Sequence, residues 1–376
     1  MKVLHVNSYF NGSLFYKNLY EKQIQKKMDI DVFVPIAKND KENISNHGKY
    51  ITVSPNFKKI DRFFYHIKHY KIQKNLQKKY DVENFSLIHA HSLFSNGYIA
   101  MKMKKKYNLP YIVAVRNTDV NIFFKKVIYL RKTGLSILFH AQKIVFLSEA
   151  YREVVIEKYI PEFKKEEVRK KSVVIPNGID DFWINNLGSN RRLEKSFNLK
   201  LLYVGEINEN KNITSTLQAI ELLKQKGFSI EFTIVGKITD ENIYKKIIGK
   251  SYVNYITPLK KEELLNVYRS HDIFVMPSLK ETFGLVYAEA MSQGLPIIYT
   301  VDQGFDRQFK NGFIGYSVNP LDPKNIAEKV LEIINKYNYL SINCVSSINK
   351  FNWSNIEGTY NEIYTSIVSE KEDINE

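Results

Sequence analysis

The chain has 376 residues, of which 44% are hydrophobic and 25% charged. This length exceeds what one hydrophobic core usually holds, so two domains are expected. The ordinary globular composition excludes a disordered chain, and no apolar run approaches the roughly 20 residues that a membrane-spanning helix needs. The single cysteine, Cys344, excludes an internal disulfide. Together with the lack of a signal peptide, it favours the cytoplasm.

The net charge of +15 is unevenly distributed. Residues 1–190 contain 33 Lys and Arg against 17 Asp and Glu, a net +16, whereas the remaining 22 and 23 give −1. The densest basic segments are residues 58–79, 102–106 and 125–132. Positive charge confined to one half of the chain favours an anionic partner for that half.

The first basic segment also carries apolar residues at helical spacing, with Lys and Arg between them. These are Ile60, Phe63, Phe64, Ile67 and Tyr70. One interpretation is a helix that lies on an anionic bilayer. The other is an apolar stripe that faces the core and leaves a basic face in solvent. Nucleic acid is a third candidate partner, but no recognition motif accompanies the charge.

In chain order, the first half alternates apolar segments of strand length with helical patterns. Strands are predicted at residues 2–6, 31–36, 87–90, 111–115, 143–147 and 172–175, and a helix at 14–27 follows the first of them. This βαβ order predicts a doubly wound parallel sheet.

The second half repeats the plan. Strands are predicted at residues 201–204, 231–235, 253–256, 272–276, 297–300 and 315–318. We therefore predict two Rossmann-like domains, residues 1–185 and 186–350, joined in the polar stretch 185–192. The last segment, 351–376, is predicted to form a helix with an apolar stripe at Trp353, Ile356, Tyr360, Ile363 and Ile367.

Residues 277–296 (PSLKETFGLVYAEAMSQGLP) place Glu281 and Glu289 eight residues apart across a junction of strand and helix. The strand predicted at residues 272–276 ends at Pro277, and a helical pattern follows from about Gly284. The first N–H groups of a helix have no partner within it, so they point beyond the strand ends, where a phosphate fits. This junction is a predicted anion site.

That segment resembles the E-x7-E region of the retaining glycosyltransferases of family 4, which have the GT-B fold and serve bacterial surface-polysaccharide synthesis. The resemblance also covers Asn177–Asp180 and the spacing of Gly205 and Lys211. It implies two Rossmann-like domains that face each other across a cleft, with a C-terminal helix that crosses back to the first domain.

The resemblance also implies site residues. Glu281 and the amides after it would hold the donor sugar and diphosphate, Glu289 the ribose hydroxyls, and Lys211 the diphosphate. The implied donor-binding set is Gly12, Gly205, Lys211, Ile256, Pro258, Glu281, Thr282, Phe283, Gly284, Leu285, Val286 and Glu289. The acceptor-binding set is Arg116, Asn117 and Asp119, and the catalytic set is Glu281, Lys211 and Arg116.

Two positions depart from the family pattern. Glu206 stands where the family has an arginine after Gly205, and a carboxylate there would repel a diphosphate unless it turns away or pairs with a lysine. Arg116 stands where the family has a histidine; it cannot act as a general base but can bind phosphate or carboxylate. Asp119 would either orient Arg116 or cap the following helix. An anionic acceptor is therefore expected.

Two further groupings carry metal-binding residue types. His89 and His91 alternate at a strand end, and Asp29 and Asp31 flank an early strand. Neither is accompanied by the partner motif that a metal site needs, so both are interpreted as structural. No cofactor and no metal are expected, because amides and basic side chains can stabilise the leaving diphosphate.

These observations predict a metal-independent hexosyltransferase. It would move a sugar from a nucleotide sugar, with UDP as the expected nucleotide, to a lipid-linked or oligosaccharide acceptor in the synthesis of capsule, exopolysaccharide or teichoic acid. It would bind the inner face of the cell membrane peripherally through the basic first domain. Two alternatives remain: a nucleotide-sugar epimerase of the same fold, and a non-catalytic partner subunit of a glycosyltransferase.

Overall fold

The computed structural model describes residues 1–10, 15–40, 48–189, 191–193 and 198–375. By packing, the chain divides into two compact units. Unit 1 consists of Met1–Leu147, Tyr151–Pro176 and Trp353–Glu376, and unit 2 consists of Ser148–Ala150 and Asn177–Asn352. The division lies at Pro176 and Asn177, upstream of the polar stretch 185–192.

Unit 1 is built on a seven-stranded sheet in which all neighbouring strands pair in parallel. Its strands are β1 (Lys2–Val6), β2 (Asp29–Ala37), β3 (Ile51–Phe57), β4 (Leu87–Ala90), β5 (Tyr111–Val115), β6 (Lys143–Phe146) and β7 (Ser172–Val174). The order across the sheet is β3-β2-β1-β4-β5-β6-β7. The chain therefore reverses its direction of winding between β1 and β4, where α/β sheets place their ligands.

Unit 2 has a six-stranded parallel sheet. Its strands are β8 (Asn198–Val204), β9 (Ser229–Val235), β10 (Val253–Ile256), β11 (Ile273–Val275), β12 (Ile297–Thr300) and β13 (Gly315–Val318). Their order is β10-β9-β8-β11-β12-β13, so the winding reverses between β8 and β11. The prediction of two doubly wound parallel sheets is confirmed.

Helices cover the sheets. Along the chain they are α1 (Phe15–Gln25), α2 (Tyr65–Lys79), α3 (Tyr98–Tyr107), α4 (Arg131–His140), α5 (Glu149–Tyr159), α6 (Glu162–Lys171), α7 (Asp181–Asn185), α8 (Ile213–Gln225), α9 (Glu241–Ile248), α10 (Lys261–Arg269), α11 (Leu285–Ser292), α12 (Pro323–Asn335), α13 (Tyr337–Ser346) and α14 (Trp353–Asn375). Within the described residues, no helix is both long enough and apolar enough to cross a membrane.

Strand β3 is the one strand of the unit 1 sheet that the sequence analysis missed. It contains Pro55, which cannot donate to a sheet ladder and weakens the strand pattern of its neighbours. In the structure β3 lies at the edge of the sheet and pairs only with β2, with Pro55 opposite Ile36. An edge position tolerates proline.

The C-terminal helix α14 packs against α1 within unit 1. Four members of its predicted stripe are buried: Trp353, Ile356, Tyr360 and Ile367. Ile363 is partly buried against the same cluster. This helix therefore completes the core of the first unit, although it follows the whole of the second unit in the chain.

Candidate functional site

The loops that follow β8 and β11 are joined by hydrogen bonds at the carboxyl edge of the unit 2 sheet. The Leu279 N–H donates to the Asn210 carbonyl over 2.8 Å, and the Asn210 side chain donates to the Lys280 carbonyl over 2.9 Å. The two strands are neighbours, so their loops meet at the point where the winding reverses. These contacts fix the positions of Lys211 and Glu281, which the two loops carry.

Asn212 extends this connection and begins helix α8. Its backbone has a left-handed φ of 55°, which asparagine tolerates better than most residues. Its side-chain amide donates to the carbonyls of Pro277 (3.0 Å) and Pro320 (2.6 Å). Asn212 was not predicted from the sequence to belong to the site. Its only signal there is an asparagine between a predicted strand and a helix.

Lys211 and Glu281 form an ion pair, with 2.7 Å between Nζ and Oε2. Their side chains are only 19% and 13% exposed, so solvent screens the pair less than it screens a surface pair. Both residues were predicted from the sequence to act on the donor. The structure brings them together, so that a cation and a carboxylate lie side by side near the start of the helix Leu285–Ser292.

The backbone of Glu281 is held by the segment after β12. The Gln303 side-chain oxygen accepts the Glu281 N–H over 3.0 Å, and the Gly304 N–H donates to the Glu281 carbonyl over 2.8 Å. A Cβ atom at Gly304 would lie 1.6 Å from the Thr282 carbonyl oxygen, so only glycine fits. Neither Gln303 nor Gly304 was predicted from the sequence. Their only signal there is a polar residue and a glycine soon after a predicted strand.

Helix α11 begins just after Glu281. Gly284 precedes it with a left-handed φ of 72°, a conformation that favours glycine. The N–H groups of Leu285 and Val286 lie in the first turn and have no partner within the helix. Phe283 is buried against Phe305, so only its backbone is available to a ligand. The helix start therefore offers amide donors beside Lys211.

Glu289 lies one turn further along α11 and is partly buried. Its Oε2 accepts a hydrogen bond of 3.2 Å from the Tyr268 hydroxyl. Burial raises the pKa of this carboxyl group to about 7; the Tyr268 hydroxyl opposes the rise, and the charge of Asp180 adds to it. Asp180 caps α7 and lies in the predicted segment Asn177–Asp180. The carboxyl group changes protonation near neutral pH.

The other predicted donor residues of unit 2 lie at the same edge of the sheet. Gly205 directly follows β8, and its N–H donates to the Val235 carbonyl at the end of β9. Ile256 ends β10, and Pro258 follows it. Glu206 is exposed and accepts a hydrogen bond from the Asn208 side chain. Gly12, predicted in unit 1, lies outside the described residues.

In unit 1, Arg116 follows β5. Its Nε donates to the His91 carbonyl over 3.1 Å, and its guanidinium lies 5.7 Å from the centre of the Tyr16 ring, a cation–π distance. His91 follows β4, so the contact joins two neighbouring strand ends. The nearby Asn117 side chain accepts a hydrogen bond from Asn121.

Asp119 is buried and accepts three backbone hydrogen bonds, from Leu93 (3.0 Å), Phe94 (3.0 Å) and Arg116 (2.8 Å). Burial raises the pKa of its carboxyl group to about 6, although the three N–H donors oppose the rise. The alternative that Asp119 caps the following helix is wrong, because its donors lie before it in the chain. It fixes the backbone of Arg116.

His89 and His91 form a buried cluster with His5 of the neighbouring strand β1. His5 Nδ1 lies 3.0 Å from His91 Nε2, and His89 Nδ1 lies 2.6 Å from the Tyr364 hydroxyl. Burial lowers the pKa of all three imidazoles. Their contacts with one another and with α14 describe a packed core cluster. In the Asp29 and Asp31 pair, Asp31 forms an ion pair with Lys2.

The apolar residues of the first basic segment lie on the surface of unit 1. We call them the apolar patch: Ile60, Phe63, Phe64, Ile67 and Tyr70, each at least half exposed. The interpretation that they face the core is wrong. Instead α2 buries Tyr65, His69, Ile72 and Leu76. The predicted continuous helical stripe is also interrupted: Ile60 and Phe63 lie in a short 3-10 turn, Lys59–Phe63, and α2 begins only at Tyr65.

Comparison with known proteins supports the same two-part division. Residues 13–181 match the family model Glycosyltransferase Family 4. Residues 190–342 match the model Glycosyl transferases group 1. The first match covers most of the unit 1 sheet, and the second contains every strand of the unit 2 sheet and the Lys211, Glu281 and Glu289 positions.

Two similar proteins show the range of the relatives. An uncharacterised glycosyltransferase of Methanocaldococcus jannaschii is 27% identical over 345 residues, which are 89% of this chain and 89% of the relative. The capsular polysaccharide biosynthesis glycosyltransferase CapM of Staphylococcus aureus is 26% identical over 208 residues, 53% of each chain. The first similarity extends through both units.

Solved structures share the fold. The lipopolysaccharide outer core galactosyltransferase WaaB superposes with a TM-score of 0.76 at 17% identity, covering 97% of this chain and 99% of that one. HepE of Anabaena, solved with UDP and glucose, superposes with a TM-score of 0.69 at 14% identity, covering 97% and 100%. At these identities the likeness shows the fold alone, which is GT-B.

Proposed function

Because the chain consists of a glycosyltransferase family 4 domain followed by a glycosyl transferases group 1 domain in the GT-B fold, we propose that it is a retaining hexosyltransferase. Its donor would be a UDP-sugar and its acceptor a lipid-linked or oligosaccharide molecule of cell-surface polysaccharide. The observation that carries the proposal is the Lys211–Glu281 ion pair beside the start of α11. The relationship to CapM supports the polysaccharide pathway.

The proposed chemistry needs stabilisation of charge on the departing diphosphate. Lys211 and the first N–H groups of α11 would supply it, since fixed donors and cations in a partly buried site act strongly on developing charge. The bond between the anomeric carbon and the phosphate oxygen breaks, and the acceptor oxygen bonds to the same face of that carbon. The acceptor proton passes to the leaving phosphate. No protein nucleophile and no metal enter this scheme.

Glu281 and Glu289 would have different roles. Glu281 would accept hydrogen bonds from donor sugar hydroxyls while holding Lys211 in place. Glu289, one turn along α11, would accept from the ribose hydroxyls when it is ionised. The hydrogen bonds that Gln303 and Gly304 form with the Glu281 backbone support this assignment, because a ligand-binding carboxylate needs a fixed backbone.

The activity test measures turnover of a panel of nucleotide sugars by mass spectrometry, with and without lipid extract. We expect the nucleoside diphosphate to appear only when the acceptor is present. Glu281→Ala should abolish transfer, whereas Glu328→Ala, which removes an exposed carboxylate on α12, should leave it unchanged. An isomerised nucleotide sugar formed without acceptor would indicate an epimerase, and no turnover with bound nucleotide would indicate a non-catalytic subunit.

The apolar patch supports an acceptor at a membrane. Five apolar side chains that are at least half exposed lie between lysines and an arginine within residues 58–71 of unit 1, a combination that binds anionic bilayers. We propose peripheral binding to the inner face of the cell membrane. Sedimentation with anionic vesicles at low salt should carry the protein down, and Phe63→Ser with Phe64→Ser should release it. A protein that stays in solution under these conditions contradicts this part of the proposal.

A further inference from the structure

Unit 1 contains a cavity of about 270 Å³ at the carboxyl ends of β1, β2 and β3. Its polar wall is formed by Ser8, Asp40, Arg62, Lys68, Ser95 and Asn96. At about 30 Å³ per water molecule, the volume equals that of about nine waters, enough for a phosphate group with a small substituent. None of these residues belongs to the donor or acceptor sets derived above.

Lys68 enters the cavity wall from α2. Its Nζ lies 4.9 Å from the centre of the Phe57 ring, a cation–π distance. In the part of the chain that the structure describes, no carboxylate lies within ion-pair distance of it. Burial lowers the pKa of its ammonium group, and the positive charge of Arg62 lowers it further. The cation is therefore held in place without compensation by an acid.

Arg62 supplies the second cation. Its Nη2 lies 3.3 Å from Asp40, and the same carboxylate is 3.4 Å from Lys59. One carboxylate thus pairs with two cations, while Lys68 pairs with no carboxylate of the described residues. The wall of the cavity contains Arg62 and Lys68 against the single carboxylate of Asp40, and this excess of positive charge favours an anionic ligand.

Asn96 supplies a neutral donor. It is 1% exposed, and its Oδ1 accepts the Ser8 N–H over 3.3 Å. Among the described residues its Nδ2 has no hydrogen-bond partner. A buried unpaired donor is costly and rare in folded proteins. A ligand that accepts hydrogen bonds in the cavity would satisfy it.

Two residues of the cavity wall also lie close in sequence to the apolar patch. Arg62 lies between Ile60 and Phe63, and Lys68 directly follows Ile67. Thus the two cations of the cavity and the exposed apolar side chains alternate within residues 60–70. A ligand with an anionic head and an apolar body fits this arrangement. A free phosphate would contact the cations but not the apolar side chains.

We propose that the cavity binds the phosphate of an anionic lipid headgroup while the apolar patch contacts the acyl region of the same bilayer. This inference rests on the proposed function, because it assigns the membrane side of the acceptor site. Arg62 and Lys68 form charge-assisted hydrogen bonds to the phosphate oxygens, and the Asn96 amide donates to a third oxygen or to a headgroup hydroxyl.

The test measures the affinity of the full chain for phosphatidylcholine vesicles with and without phosphatidylglycerol. Lys68→Met keeps the apolar stem and removes the charge; Lys78→Met is the matched control, an exposed lysine on the same helix. A charge near an anionic bilayer contributes about fivefold to binding. We expect Lys78→Met to lose no more than that and Lys68→Met to lose at least about tenfold, since it also loses direct phosphate bonds.

Asn96→Leu separates a pocket from a diffuse positive surface, because it changes no charge. We expect about a fivefold loss of vesicle affinity with a melting temperature lowered by only about a few degrees, because the bond from the Ser8 N–H to the Asn96 side chain is also lost. Equal losses for Lys68→Met and Lys78→Met, or unchanged vesicle affinity for Asn96→Leu, would overturn the proposal. So would tight, Lys68-dependent binding of inorganic phosphate alone, which would make the cavity a site for a soluble anion.

The two proposals fail separately. If the protein turns over a nucleotide sugar but does not bind the vesicles, the headgroup site is wrong and the transferase assignment stands. If Lys68→Met weakens vesicle binding but Glu281→Ala leaves turnover intact, the headgroup site stands and the donor site is wrong. Binding of UDP to Lys68→Met should equal that of the unchanged protein, because Lys68 is in unit 1 and the donor residues of the ion pair are in unit 2.

Discussion

Glu289 is a predicted donor residue whose carboxyl pKa lies near physiological pH. Its pKa is raised to about 7, chiefly by burial, so it is protonated as the pH falls through 7. Only the ionised form accepts hydrogen bonds from two ribose hydroxyls with both oxygens. We predict that UDP affinity falls about tenfold between pH 8 and pH 6, in proportion to the ionised fraction. Titration calorimetry at each pH measures it.

Glu289→Gln is the control for this pH dependence. Glutamine keeps the size and one acceptor but does not titrate, so UDP affinity should be lower at pH 8 and should lose the component of the pH profile due to Glu289. Any slope that remains belongs to the nucleotide or to other groups. An identical pH profile in the two proteins would show that Glu289 is not the titrating group.

Gly304 tests whether the backbone around Glu281 must be fixed. Alanine there would place a Cβ 1.6 Å from the Thr282 carbonyl oxygen, so the two segments must move apart. We predict that Gly304→Ala lowers UDP affinity at least about tenfold and lowers the melting temperature. Gly249→Ala, where nothing lies within 4 Å of the added atom, is the matched control and should change neither.

At the scale of elements, Asn212 joins three loops at the carboxyl edge of the unit 2 sheet. Asn212→Gly keeps the left-handed backbone at no steric cost and removes both bonds from the side chain to the carbonyls of Pro277 and Pro320. We predict a loss of about 1–3 kcal/mol in the free energy of unfolding of unit 2, because one buried and one partly buried carbonyl lose their donor. Urea denaturation followed through Trp183, which lies in unit 2, measures it.

Asn108→Gly is the control for the effect that glycine itself has at a position with a left-handed backbone. Asn108 also has a left-handed φ, 50°, but it is exposed at the end of α3. Glycine there should leave stability unchanged or slightly higher, since only the conformational preference changes. If Asn212→Gly behaves like Asn108→Gly, the bonds of the Asn212 side chain do not stabilise the joined loops.

The sequence predicted most elements because their signals are local. The run 111–115 is apolar throughout and 297–300 is apolar up to Thr300, as expected of buried parallel strands, and the structure has strands at both places. The E-x7-E spacing identified Glu281 and Glu289 because both lie on one continuous segment. Lys211 was found by its spacing from Gly205, and the structure adds its partner, 70 residues away in the chain.

What the sequence did not predict depends on contacts between distant segments. Gln303 and Asn212 act through backbone groups of other loops, and nothing in their own neighbours specifies that partner. The outward direction of the apolar patch was left open, because the segment 58–79 carries both the patch and the buried residues of α2, and only tertiary packing decides which of them face the core. Asn96 became visible only as a buried donor beside a cavity.

At the scale of the whole molecule, the described part of unit 1 has four buried histidines whose pKa values are all lowered. Burial lowers the pKa of His5 and His69 to about 3, and it lowers those of His89 and His91 well below their usual range. These groups stay neutral in the fold, whereas the unfolded chain binds protons near the ordinary value of 6.5. Their stabilising contribution is complete above 6.5 and is lost as the pH falls toward 3.

A histidine whose pKa is lowered to about 3, as those of His5 and His69 are, costs about 2 kcal/mol of stability on going from pH 7.5 to pH 5, and His89 and His91 act in the same direction. Asp119 acts in the opposite direction, because its pKa is raised to about 6, and it returns about 1 kcal/mol over the same interval. The effect of the four histidines exceeds that of Asp119, so we predict that the free energy of unfolding of unit 1 falls by several kcal/mol between pH 7.5 and pH 5. Acidification should unfold this unit well above the pH at which carboxylates are neutralised.

Fluorescence of Trp353 measures this loss, because that residue is buried in unit 1 while the other tryptophan, Trp183, is in unit 2. In a Trp183→Phe background, the urea midpoint should fall steeply between pH 7 and pH 5. His89→Gln should flatten the slope by about one proton, because one titrating group is gone. His66→Gln, which replaces an exposed histidine of the same unit, should leave the slope unchanged. A midpoint that does not move with pH would mean that the buried cluster is already charged in the folded protein.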